Sequence, residues 1–142
     1  FYVIAQFWLV HHRVFHRITG QQEGLSWWNF AFLFTITTMP FTSGLLGEFS
    51  ANPLAVDIFA VNLLLATTAT QLTVIYSRRK DLVTAETAHE TRAAQSRVVA
   101  SILVIALSIG IAWLNPNAAK YCWLLLTVAP RIADRWSNRQ TD

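Results

Sequence analysis

The chain has one cysteine, Cys122, and it lies inside an apolar run, so neither a disulfide framework nor a cysteine-based metal site can be assembled from this sequence. Charge is scarce too, with 13% Asp, Glu, Lys and Arg against 54% hydrophobic residues and a mean hydropathy of +0.37. That balance excludes an ordinary soluble domain and points to a membrane protein. There is no glycine-rich phosphate loop, no nucleophile beside a base and no pair of carboxylates in a shared membrane layer, so the chain carries no apparatus for an enzyme. A net charge of +3 and a pI near 9.5 do not make a nucleic-acid surface, because the basic residues sit at the ends of apolar segments without interleaved aromatics. Internal repeats and low-complexity linkers are absent as well.

What is present is a series of apolar segments. Crossing a hydrocarbon core takes roughly 20 residues at about 1.5 Å rise each. The pattern predicts an all-α, polytopic transmembrane bundle with helices at about 1–17, 25–46, 53–77, 95–114 and 117–130, one domain over 1–136, and a polar tail over 137–142. Asn52 before Pro53 and Asn115 before Pro116 each supply an N-cap acceptor followed by proline at the first helical position. The connection from Ser77 to Arg97 is polar and rich in Ala, Glu and Arg, with Asp81 as a candidate cap; it is expected to prolong one helix into water.

Alternating segments place Arg13, Arg17, Arg78, Arg79, Lys80, Arg92, Arg97, Arg131, Arg135 and Arg139 on one side and leave only Lys120 on the other. The positive-inside rule makes the crowded side cytoplasmic, the C-terminus with it. The sequence opens within an apolar run, without an initiator Met, and an upstream helix is expected ahead of Phe1.

The stretch from Phe7 to Pro40 holds His11, His12 and His16 of the four histidines and Trp8, Trp27 and Trp28 of the six tryptophans. His12 and His16 have the one-turn spacing of a metal pair, yet His89 is the only other histidine, and no metal site is assigned. Trp8, His11 and Phe15 are expected to form one packing stripe, and Asn29 falls on the same cytoplasmic side as His11. Buried amides and imidazoles in a bilayer seek partners, so helix-to-helix adhesion is the first reading of this pair. Pro40 frees the carbonyl of Ile36, with Thr35, Thr37, Thr38, Thr42 and Ser43 nearby to satisfy freed backbone groups. Thr67, Thr70 and Thr73 with Gln71 form a later polar row, suited to interhelical hydrogen bonds or to a hydroxyl-lined path. Asp57 near a helix start is favoured by the helix dipole.

The segment FWLVHHRVF, then LSWWNFAFLFTITTMPFTSGLLGEF, then ANPLAVDIFAVNLLL resembles the second, third and fourth helices of the transmembrane protein 175 family, potassium channels of endosomes and lysosomes with bacterial homologues. The likeness covers roughly Phe1 to Tyr76 and rests on the combination W-x-x-H-H, W-N and P-F-x-S-x-L-x-G in this order. It implies a six-helix subunit with both termini cytoplasmic, assembled in bacterial members as a homotetramer, with K+ as permeant ion and no cofactor. It also implies that the pore is lined by a first helix upstream of Phe1, held in place by Trp8, His11 and Asn29. The alternative is a non-conducting membrane scaffold or assembly subunit.

Overall fold

A computed structural model describes residues 1–20, 22–83, 85–121 and 123, with backbone alone over 85–97 and at 100. The described residues are helical, without strands: α1 spans Tyr2–His16, α2 Glu23–Glu48, α3 Pro53–Arg79 and α4 Ala85–Ala112, and residues 116–121 open a further helix. The region expected at 117–130 and the tail at 137–142 lie largely or wholly outside the described residues. The start of α4 at Ala85, ahead of the expected 95, reflects a polar Ala- and Glu-rich segment that hydropathy passes over although its residues favour helix.

α3 is the centre, packed against α2, α4 and α1. The reason lies in its composition. Ala55, Ala60, Ala66 and Ala69 are buried along it with Thr73 and Ser77, and such small side chains let neighbouring helices approach closely. α2 answers with a stripe of Leu25, Phe32, Thr35, Met39 and Thr42, spaced by three, four or seven residues so that all lie on one face. Met39, Phe59, Ala60, Leu63 and Ile105 form the main core, and Val56, Ala112 and Ala119 a second cluster toward one end.

The opposite face of α2 is apolar too. Trp27 is 73% exposed, Phe34 66% and Phe41 72%, a ridge that a water-soluble domain would not leave uncovered. A helix apolar on all sides is a helix for lipid or for another subunit. α2 and α3 are both long and apolar enough to cross a membrane.

The helix ends follow local chemistry. Asn52 Oδ1 accepts from Leu54 N at 3.0 Å with Pro53 at the first helical position, and Asn115 Oδ1 accepts from Asn117 N at 3.0 Å ahead of the last helix. Asp81 behaves differently from the expected cap. Its φ is 53°, and around it Asp81 N donates to Arg78 O at 3.3 Å while Leu82 N donates to Ser77 O at 2.9 Å. This pair of bonds is a Schellman motif, so Asp81 terminates α3 rather than starting α4. α2 runs through Pro40 without ending.

The two ends of the bundle are distinct. At one, Thr19 N and Thr19 Oγ1 both meet Leu82 O, at 2.9 and 3.0 Å, and Tyr76 Oη donates to Gln22 Oε1 at 3.2 Å. Here the α1–α2 and α3–α4 connections lie side by side. At the other, Lys120 Nζ donates to Ser50 O at 2.9 Å.

Candidate functional site

His11 lies on α1 and Asn29 on α2, and their side chains meet: His11 Nε2 is 2.8 Å from Asn29 Oδ1 in a half-buried setting. An amide oxygen only accepts, so the proton of this bond resides on Nε2. The imidazole is held on both faces. Phe15 stacks at a ring-centroid distance of 4.4 Å and Phe32 at 4.5 Å, the latter within 9° of parallel, while Phe7 leans on Phe32 at 6.3 Å. Phe32 is itself buried, at 3% exposure, so the clamp is anchored in the core. A bond of this kind in a membrane setting is worth about 0.6 kcal/mol, up to about 2.

Trp8 does not join them. It stacks on His12 at 5.2 Å and 9°, His12 in turn faces His16 at 6.2 Å, and Trp8 stays 59% exposed. The expected stripe of Trp8, His11 and Phe15 is therefore two neighbouring ridges: an inner one of His11 and Phe15, and an outer one of Trp8, His12 and His16. A four-residue step runs about 40° past a full turn and a three-residue step falls about 60° short, so His12 and His11 depart from Trp8 in opposite directions and the set splits. Among the described residues no group of three or more His, Cys, Asp or Glu side chains converges.

Deeper in the bundle a second polar cluster joins α2 to α3. Asn62, 6% exposed, donates through Nδ2 to Thr35 O at 3.1 Å and to Thr42 Oγ1 at 3.3 Å. Its Oδ1 lies 3.1 Å from Thr38 Oγ1. Thr35 and Thr42 stand on opposite sides of Pro40, so one amide spans the turn in which proline removes a backbone bond. The hydroxyls around Pro40 donate to Phe32 O, Phe34 O, Thr35 O, Met39 O and Pro40 O, and the freed carbonyl of Ile36 is not among these acceptors. The threonines thus brace α2 turn by turn, while Asn62 bridges the weak point from outside. Sequence reasoning passed over Asn62, although an amide in the run PLAVDIFAVNLLL is a signal in itself.

The later row is directed inward along its own helix. Thr67 Oγ1 donates to Leu63 O at 2.8 Å, Thr70 Oγ1 to Ala66 O at 2.9 Å and Thr73 Oγ1 to Ala69 O at 2.9 Å. None of these three donor bonds crosses to another helix. Gln71 Nε2 is buried without a partner among the described residues. Asp57 lies past the first turn of α3, and its Oδ2 accepts from Trp113 Nε1 at 2.8 Å, so a specific donor on the α4 side, and not the dipole alone, holds it.

Residues 1–40 match the family model described as the endosomal/lysosomal potassium channel TMEM175. The matched stretch contains Trp8, His11 and Asn29 and ends at Pro40. Neither a curated protein nor a solved structure matches the chain.

Proposed function

We propose that this chain is a subunit of a potassium-selective channel that conducts K+ passively across a membrane, a reading carried by the family match over residues 1–40. That family is a channel family and not a class of enzyme. The His11–Asn29 bond falls within the matched stretch and ties α1 to α2, which supports reading the pair as a joint between these helices. In this reading the pore-lining helix is contributed by sequence upstream of Phe1, with Trp8, His11 and Asn29 as its buttress. Thr67, Thr70 and Gln71 are supporting polar residues of the bundle and not the selectivity element.

The subunit is taken to assemble as a homotetramer in a bacterial plasma membrane, with the end bearing Arg17 and Lys80 and the C-terminus toward the cytoplasm. Support for a multi-subunit arrangement comes from the apolar ridge of Trp27, Phe34 and Phe41, which no element within the described residues covers. Purified full-length protein reconstituted in liposomes is expected to pass potassium down its gradient. A folded, reconstituted oligomer that passes no ions would overturn the proposal.

A further inference from the structure

We propose that the end of the bundle at which α1 and α3 finish is a binding surface for the phosphate headgroup of an anionic lipid, held chiefly by Arg17, Arg79 and Lys80. Arg17 is the C-cap of α1 and Lys80 the C-cap of α3, with Arg13 in the last turn of α1 and Arg78 and Arg79 in that of α3. These two basic runs are 61 residues or more apart in sequence, and one hydrogen-bonded junction brings them together: Leu82 O takes both Thr19 N, at 2.9 Å, and Thr19 Oγ1, at 3.0 Å. Thr19 is two residues beyond Arg17 and Leu82 two beyond Lys80, so each cap lies two residues from this junction. The Schellman turn at Asp81 fixes the path of the chain there, and Gly20 leaves room for Leu82, whose Cδ2 would stand 3.0 Å from a Cβ at that position.

The charge at this end is lopsided. Around the junction Arg13, Arg17, Arg78, Arg79 and Lys80 stand against Glu23 and Asp81, and the first turns of α4, described in backbone alone, add Glu86 and Glu90 together with Arg92 and Arg97, so cations remain in excess. Arg13, Arg17, Arg79 and Lys80 are exposed. Depth fits as well. Trp27, 73% exposed in the second turn of α2, and Tyr76, bonded to Gln22, are amphipathic rings of the sort that settle at the headgroup layer. The cations lie just beyond them, where lipid phosphates are. Clusters of four to eight basic residues beside membrane helices attract anionic lipid, with roughly a fivefold gain per residue near the surface. Orientation alone accounts for basic loops; it does not account for their being tied into one surface.

This inference rests on the membrane reading of the chain, and the experiment separates the two. Full-length protein is reconstituted into phosphatidylcholine vesicles with and without phosphatidylglycerol, and the lipids retained after extraction are counted by native mass spectrometry. Wild type is expected to retain phosphatidylglycerol over phosphatidylcholine, Arg79→Gln with Lys80→Gln to lose roughly 25-fold of that preference, and Lys120→Gln at the opposite end to keep it. Thr19→Val, which removes one of the two bonds of the junction without touching a charge, is expected to weaken it by less. Equal retention of the two lipids by wild type, or an equal loss on Lys120→Gln, overturns the site. Displacement of the lipid by millimolar inorganic phosphate alone overturns the assignment to lipid in favour of free phosphate. Failure to insert into pure phosphatidylcholine vesicles overturns the membrane reading itself.

Discussion

Asn62 bridges Pro40: from α3 its amide nitrogen reaches Thr35 O at 3.1 Å on one side of the proline and Thr42 Oγ1 at 3.3 Å on the other. A proline inside a helix leaves a turn without its backbone bond, and here a side chain of the neighbouring helix spans it. Asn62→Leu is expected to lower stability by about 1–2 kcal/mol, the sum of two or three membrane hydrogen bonds of about 0.6 kcal/mol each. Leucine preserves the volume, so packing loss stays small. Thermal unfolding in detergent reads the change, and a variant as stable as wild type would show that the bridge carries no load.

The joint between α1 and α2 predicts a different pattern. His11→Ala and Asn29→Ala each break the 2.8 Å bond, and their effects on oligomer stability are expected to be non-additive, with a coupling of about 0.6–2 kcal/mol. His12→Ala removes only an exposed ring stacked on Trp8 and is expected to have the smaller effect. Equal losses from all three substitutions would mean that the imidazole clamp is not what joins these helices.

How much of this was legible beforehand differs from residue to residue. The boundaries of α2 and α3 follow from apolar runs and from the Asn–Pro pair at 52 and 53, both local signals. The levels of His11 and Asn29 follow from counting turns from a common end. Which face each residue takes does not, and so Trp8 was grouped with His11 when it belongs with His12. Asn62 and Asp57 look alike in sequence, two polar groups in one apolar helix. Only the neighbours distinguish them: α2 hydroxyls for the first, the Trp113 indole for the second. The polar connection does prolong a helix, as its Ala- and Glu-rich composition implies; only the bound near 95 is displaced to Ala85, because hydropathy passes over a segment whose propensity is helical.

Asp81, a candidate cap by sequence, lies at the closing end of α3. Its φ of 53° lies in the left-handed region, which costs a side-chain-bearing residue roughly 1 kcal/mol and costs glycine little. Asp81→Gly is therefore expected to stabilise the protein by about 0.5–1 kcal/mol, less a part returned as greater freedom of the unfolded chain. Asp81→Val should destabilise it, because a β-branched side chain tolerates this conformation worst. Melting temperatures of the two variants moving in the same direction would argue against the Schellman turn.

At the opposite end the indole of Trp123 offers a test of a buried hydroxyl. Trp123 Nε1 donates to Ser108 Oγ at 2.8 Å, Ser108 Oγ donates onward to Ile105 O at 2.6 Å, and Ser108 is fully buried. The same indole packs on Phe59 at 5.2 Å, which links the hydroxyl to the main core. Ser108→Ala leaves the indole N–H without its acceptor and is expected to cost about 1 kcal/mol. Trp123→Phe removes the donor, retains an aromatic ring against Phe59 and should cost a similar amount. With both changes together neither partner is left behind, so the double variant is expected to be about 1 kcal/mol more stable than the sum of the single losses predicts. Strict additivity in that cycle would show that the serine serves α4 alone, through its bond to Ile105, and that Trp123 is held by its apolar contacts.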